Sequence, residues 1–449
     1  MTGPAYLRGY LAPVPDEIDA YDLPVTGALP PALTGRYFRN GPNPMPGQDP
    51  GHWFTGSGMI HGVRLRDGRA EWYRNRWVRT AALAGAAFVR PDLTLDLTAV
   101  PANTHVIRHD HRILALVEAG LPYEVTPELE TVGPCDFDNR LTTAMTAHPK
   151  QDPETGELHF FGYSALPPYL TYHRLSATGE LVESYEVAVP GPTMMHDFAI
   201  TARHVVWLDL PVVFDPGLVE RGIPYRWDDG YGARLGVMPR DGSGQVRWFE
   251  VEPCYVFHVG NAYEDGTGTV VLDAVRYDPA AFRSAWIWVS GHPDPARAVA
   301  TRAARAAAGA PETAAAHLHR WRLDPAGGTR DEERLDDRGV EFPTHNDRLT
   351  GRPSRYLYTV GDRAIVKYDT GTGVVKTLHL SADRHPGEAV FVPADGARGE
   401  DEGWLLTILT DPGGSELFVL DAAELAPVAC VRLPRRVPAG FHGSWIADG

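Results

Sequence analysis

Cysteine is scarce. The 449 residues hold only Cys135, Cys254 and Cys430, too few and too scattered for a disulfide framework or a cysteine zinc site. A reducing cytoplasm fits that usage. No apolar run approaches the roughly 18–20 residues that cross a bilayer. The opening MTGPAYLRGYLAP lacks the basic stretch and apolar run of a secretory leader. Positive charge is also short: 42 Lys+Arg face 58 Asp+Glu, a net charge of −16. A phosphate backbone repels such a chain, and no basic stripe with interleaved aromatics offsets this, so nucleic acid is not an expected partner. An anionic membrane surface repels it on average as well, although local apolar loops can still touch lipid. HExxH, GxSxG, a Walker loop and a GxGxxG after a strand are all missing. Gly56-Ser57-Gly58 reads as a structural turn.

What is present reads as a soluble globular protein, with 43% hydrophobic and 22% charged residues. The 46 glycines and 39 prolines are spread evenly and punctuate short runs rich in Val, Leu, Tyr, Trp and Phe. Many runs flank a two-residue turn signal: Asp67-Gly68, Thr155-Gly156, Thr178-Gly179, Asp241-Gly242, Asp265-Gly266 and Thr372-Gly373. Regularly spaced strands of this kind predict an all-β sandwich, barrel or propeller. No linker or helical block breaks the pattern. A propeller of four-stranded blades accommodates the whole length, residues 1–449, as one domain. No WD or kelch signature recurs, so the repeats are degenerate. Residues 1–30, rich in proline, are expected on the outside. Residues 296–316, ARAVATRAARAAAGAPETAAA, form an Ala-rich insertion that reads as a surface helix.

Histidine is plentiful, at 18 residues. His109, His111, His292, His317, His319, His379 and His385 sit among polar, Pro-rich or alternating neighbours, where surface or strand-edge placement is expected. Four others follow apolar or small residues: His148 in MTAHPK, His196 in MMHDFA, His258 in YVFHVGNAYE and His442 in GFHGSW. They are 48, 62 and 184 residues apart, so a shared metal needs four separate elements meeting on one axis. A propeller centre provides that. A core or turn role for each histidine is the simpler alternative.

These segments carry a resemblance. GRYFRNGPNP, HWFTGSGMIHGVRL, ALVEAGLPYEV, MTAHPK, MMHDFAIT, FHVGNAYE, EFPTHNDRLTGRPSRYLY, HPGEAVFVP and GFHGSWI occur in this order along nearly the whole chain. Together they resemble the carotenoid cleavage oxygenases, an iron-dependent family that also includes stilbenoid-cleaving enzymes. The resemblance implies a seven-bladed propeller with loops capping one Fe(II) per chain on its axis. It implies His148, His196, His258 and His442 as metal ligands, with Glu118, Glu341 and Glu388 each orienting one ligand imidazole. Neutral imidazoles suit Fe(II), and a carboxylate accepting the other ring N–H fixes the tautomer. Taken singly, each glutamate has a structural reading, as a salt-bridge partner or beside a turn.

The resemblance also bears on substrate. Phenol-binding Tyr and Lys positions of stilbene-cleaving members fall here on Trp77 and Val117. A site without those hydrogen-bond partners gains little from a phenol. Phe54, Phe257 and Phe441 are further candidate walls. The loop-like stretches LPPYL (166–170) and LPVVFDPGLV (210–219) either pack on the propeller or form an apolar entrance touching a membrane. The expected activity is oxidative cleavage, with O2, of a conjugated C=C bond of a carotenoid or apocarotenoid to two carbonyl products. Cleavage of an aryl alkene, a stilbenoid or a phenylpropenoid such as isoeugenol, is the alternative. A metal-stabilised propeller that binds apolar ligands without turnover is the third. The expected location is cytoplasmic with peripheral membrane contact.

Overall fold

The computed structural model describes residues 4–219, 222–242, 245–289 and 315–448. The strands form seven blades in a ring, each an antiparallel sheet of four or more strands. Blade one joins Gly35–Pro42, Gly58–Arg66 and Arg69–Trp77 to the late strand Gly443–Ala447. Blade two runs from His105–His109 to Thr131–Pro134, and blade three from Lys150–Gln151 to Leu181–Glu186. Blade four spans Ala199–Ile200 to Arg247–Glu250, and blade five Tyr255–Glu264 to Arg330–Arg334. Blade six covers Val340–Thr344 to Val374–His379. Blade seven holds His385–Pro386 and Val390–Pro393 on one flank and Pro427–Arg432 on the other.

The turn signals account for much of the hairpin geometry. Asp67 and Gly68 both have positive φ, 49° and 72°, as a two-residue hairpin turn matched to strand twist requires. After Asp265 the positive φ falls on Gly268 instead, and five residues, 265–269, separate the strands where the dipeptide suggests two.

Ring closure is a strand exchange between distant parts of the chain. Gly443–Ala447 pairs with Gly35–Pro42, from Arg39↔Gly443 to Gly35↔Ala447. The N-terminal segment lies on outer edges: Asp19–Tyr21 pairs with Arg69–Trp77, and Val25–Gly27 with Pro427–Arg432. Apolar side chains fill the spaces between blades, as where Phe161, Phe198, Trp207 and Trp321 join one buried cluster. Residues 296–314 of the Ala-rich insertion lie outside the described residues.

One element has no counterpart in the expectations. Pro279–Val289 is a helix between the second and third strands of blade five. Asp278 caps it, its Oδ1 accepting from the amides of Ala280 (2.8 Å) and Ala281 (2.7 Å). An Asp followed by Pro is a helix-start signal. Among the described residues no helix is long and apolar enough to cross a membrane.

Candidate functional site

The innermost strands of neighbouring blades touch around the axis, and their entrances deliver three of the four histidines. His148 precedes Lys150–Gln151, His196 precedes Ala199–Ile200, and His442 precedes Gly443–Ala447. His258 lies within Tyr255–Glu264, where the pairing register shifts on both sides of Val259. Such bulges re-aim a side chain. The same device serves Glu341: the register shifts between Glu341 and Thr344, and Phe342 takes a positive φ of 51°.

The imidazoles converge. The candidate ligand nitrogens of His148, His196 and His258 lie within 4.8 Å of one another, and the Nε2 atoms of His148 and His196 are 3.0 Å apart. The His442 ring is centred 4.6 Å from that of His148 and 4.9 Å from that of His258. Three glutamates stand behind the rings. His258 Nδ1 meets Glu341 at 2.5 Å, His442 Nδ1 meets Glu388 at 2.9 Å, and His196 Nδ1 lies 2.7 Å from Glu118. The last contact is close but poorly directed, leaving the buried His196 Nδ1 and Glu118 Oε2 without an aligned partner. Further donors hold two of the carboxylates: Tyr277 Oη donates to Glu341 at 2.8 Å, and the Gly443 amide to Glu388 at 2.8 Å.

This arrangement fits a metal ion. A carboxylate accepts and so places the ring proton on Nδ1, leaving the Nε2 lone pair facing the cluster. Bare lone pairs at such separations repel unless a cation lies among them. An all-imidazole donor set suits iron and its transition-metal neighbours. The protonation states of His148 and His442 agree with this. Burial, reinforced by the neighbouring imidazoles, holds His148 well below 6.5, the neutral form a ligand needs. Burial outweighs Glu388 at His442, whose pKa is also lowered. Burial works the same way at His258, but the Glu341 charge more than offsets it and the pKa is raised. Burial would raise Glu341 and Glu388, yet each histidine partner's charge and hydrogen bonds hold both carboxyls below 4.5.

Two cavities meet this cluster, and both are lined by His258 and His442. The larger, about 1380 Å³, is mostly apolar and reaches Glu118, His196, His258, Glu341 and His442. Phe54, Phe257, Phe441 and Val117 all line it. Phe54 and Phe441 meet edge to face with centroids 5.4 Å apart, and Phe257 packs against the His196 ring at 5.3 Å. The smaller, about 610 Å³, is lined by polar groups that include Lys150, Asp197, His345 and Asp347.

Trp77 is a correction. It is not among the cavity-lining residues. It packs with Val14 and Met59, and its indole N–H donates to the Asn43 carbonyl at 2.8 Å. A buried Trp needs such an acceptor, and here the acceptor lies in the protein core. The chain after it reaches the cavity at Thr80 and Ala82. The two loop stretches divide: Leu210, Val212 and Val213 are buried, whereas Leu166, Phe214 and Val219 line the cavity.

Several histidines differ from expectation. His109, His317 and His319 are buried rather than at the surface, each with a hydrogen-bond partner away from the axis. His385 lines the large cavity, stacked on Tyr10 at 4.1 Å. His105, passed over in the sequence, sits 5.1 Å from the His442 ring. Its two ring nitrogens are engaged by the Ala147 carbonyl (3.0 Å) and Ser444 Oγ (3.1 Å), so it supports the cluster without facing it. The helix Pro279–Val289 adds Ala285, Trp288 and Val289 to the cavity.

Comparison with known proteins places this architecture. The family profile described as retinal pigment epithelial membrane protein matches residues 11–447. A carotenoid cleavage oxygenase of Mycobacterium tuberculosis is 41% identical, covering 98% of this chain and 97% of that protein. A lignostilbene dioxygenase of Pseudomonas brassicacearum superposes with a TM-score of 0.85 at 29% identity, over 100% of both chains. A cobalt-substituted apocarotenoid oxygenase of Synechocystis does so with a TM-score of 0.81 at 26% identity, over 97% of each chain. With the propeller, the imidazole cluster and these similarities together, the chain belongs to the carotenoid cleavage oxygenase family of oxygenases.

Proposed function

We propose that the protein is an Fe(II)-dependent dioxygenase that cleaves a conjugated C=C bond of a carotenoid or apocarotenoid into two carbonyl products. The observation that carries this is the junction of the imidazole cluster with the large apolar cavity. His148, His196, His258 and His442 would hold one iron, and Glu118, Glu341 and Glu388 orient their rings. Bound there, ferrous iron supplies the means of activating O2 beside the alkene. The chain's own residues do the rest. Glu341 and Glu388 fix two imidazole tautomers, Glu118 stands close behind a third ring, and the three carboxylates offset part of the metal's charge without competing for it. Phe54, Phe257 and Phe441 hold an apolar chain against the cluster and exclude water. As the C=C bond breaks, each carbon receives one oxygen atom of O2, so the electrons balance without an external reductant.

The cavity favours a long polyene. Its roughly 1380 Å³ exceeds the range of about 300–1,000 Å³ for ordinary small-molecule sites. Its rim is apolar: Leu93, Leu166, Val219 and Trp288 line it and are also solvent-exposed. Such a rim suits uptake of a lipid-dissolved substrate from a membrane surface. The second reading, an aryl alkene, is supported by the likeness to the lignostilbene dioxygenase. Val117 stands against its phenolic version, since it offers a hydroxyl no partner.

A product assay tests the choice. Iron-loaded protein is incubated in air with an apocarotenal, a hydroxystilbene and a phenylpropenoid, and the carbonyl products are identified by mass. Shortened apocarotenoids alone support the first reading. Aromatic aldehyde alone overturns the substrate and keeps the oxygenase. No product from any, with iron bound, favours ligand binding without turnover.

A further inference from the structure

Three of the four axial histidines have a glutamate behind them, and His148 does not. Among the described residues no carboxylate contacts its ring. Its backbone amide donates to Thr146 Oγ1 at 3.1 Å, which leaves the strand entrance to be fixed elsewhere. Two residues on, Lys150 Nζ reaches Asp197 Oδ1 at 2.8 Å. Asp197 directly follows His196. Its Oδ1 also accepts the Phe198 amide at 2.8 Å, and its Oδ2 accepts the Val259 amide at 2.8 Å, one residue past His258. The Asp197 side chain is 2% exposed. One buried carboxylate is thus tied beside three of the four axial histidines, on blades three, four and five.

We propose that Asp197 and Lys150 are a positioning pair for the metal centre, holding the His148 strand entrance in register with that of His196 and with the bulged strand of His258, and replacing the glutamate that His148 lacks. The proposal rests on the four-histidine metal reading. Both residues line the smaller cavity and neither lines the large apolar one, so they act on the centre through the strands and not through substrate. Metal ligands must be held within about 0.5 Å of the productive geometry. An ion pair between Lys150 and the buried Asp197, which links neighbouring blades, supplies that rigidity, and removing its cation leaves a buried carboxylate held by backbone amides alone.

The test uses cobalt, whose visible absorption reports ligand geometry. Metal-free protein is titrated with Co(II) alone, against a competing chelator, and melted with and without the metal. Lys150→Met is expected to weaken Co(II) binding by about 10–100-fold, the usual cost of losing an outer partner of a metal ligand. The absorption bands should shift, and the metal-induced rise in Tm should shrink. Lys150→Arg should restore most of the affinity. Unchanged Co(II) affinity and spectrum, with Tm falling equally in both forms, would show a merely structural pair and overturn the proposal. Should Lys150→Met fail to fold, the same titration of Lys150→Gln decides between these outcomes. Absence of Co(II) binding by the wild-type protein would instead sink the metal reading itself, and this proposal with it.

Discussion

The axis and the large cavity adjoin, yet they are built on opposite principles. At the axis the imidazoles sit on or beside innermost strands, and three rings are backed by a carboxylate from a different blade. The cavity wall combines strand residues such as Phe257 and Tyr277 with loops and the helix Pro279–Val289, and its contacts are mostly aromatic edges and aliphatic surface. A polar centre is defined by atoms and directions, whereas an apolar chamber is defined mostly by volume. Reaction chemistry should therefore be brittle and substrate choice pliable, since loops vary on a rigid scaffold.

Four substitutions sharpen or break that contrast. The largest effect is expected at His258→Ala: iron content falls to background and no carbonyl product forms, checked by metal analysis and oxygen uptake. Next is Glu341→Gln, which keeps the shape of the side chain but not its charge. Iron affinity or turnover should fall by about 10–100-fold, measured by chelator competition and steady-state kinetics. Phe441→Ala comes third. It should retain full iron and lose about 10-fold in kcat/KM for a long polyene. If it emptied the iron site instead, the two regions would not be separable.

The smallest effect belongs to a control outside both regions. His204 Nδ1 lies 2.8 Å from Glu264 Oε1, the same pairing as at the axis, but with no imidazole cluster beside it among the described residues. Burial would raise the Glu264 carboxyl, yet hydrogen bonds from His204, Thr201 and the Arg203 amide lower it from 4.5 to about 2. A carboxyl lowered on folding adds stability above its unfolded pKa and loses it as pH falls through the folded one. The contribution should be full above about pH 4.5 and gone below about pH 2. Glu264→Gln should flatten thermal stability across that window and leave iron and turnover alone. Melting curves from pH 5 downward, with iron analysis at neutral pH, check both halves.

The same contrast explains what could be read from the chain. His148, His196 and His442 sit at strand entrances marked by small residues and turns, and a ring needs only local rules at each blade. Their convergence follows from the ring, which no local pattern displays; the family resemblance supplied it. The cavity wall was less legible. Trp77 aligned with a wall position but found its N–H acceptor at Asn43, a choice made by tertiary packing. Asp278-Pro279 announced a helix whose eleven residues were masked by the β punctuation around it. His385 looks like a loop residue in sequence, yet it lines the cavity in a stack with Tyr10, a pairing that no local pattern displays.

The closing strand carries a consequence for biosynthesis. His442 comes immediately before Gly443–Ala447, the strand that seals blade one against Gly35–Pro42. A nascent chain that has not yet emitted this segment has an open ring and lacks one of the four proposed ligands. A metal held by the four proposed ligands would stabilise the sealed form over every partial one. Iron availability would then act as a late quality checkpoint, rewarding chains whose two distant ends have found each other and leaving the others to proteolysis.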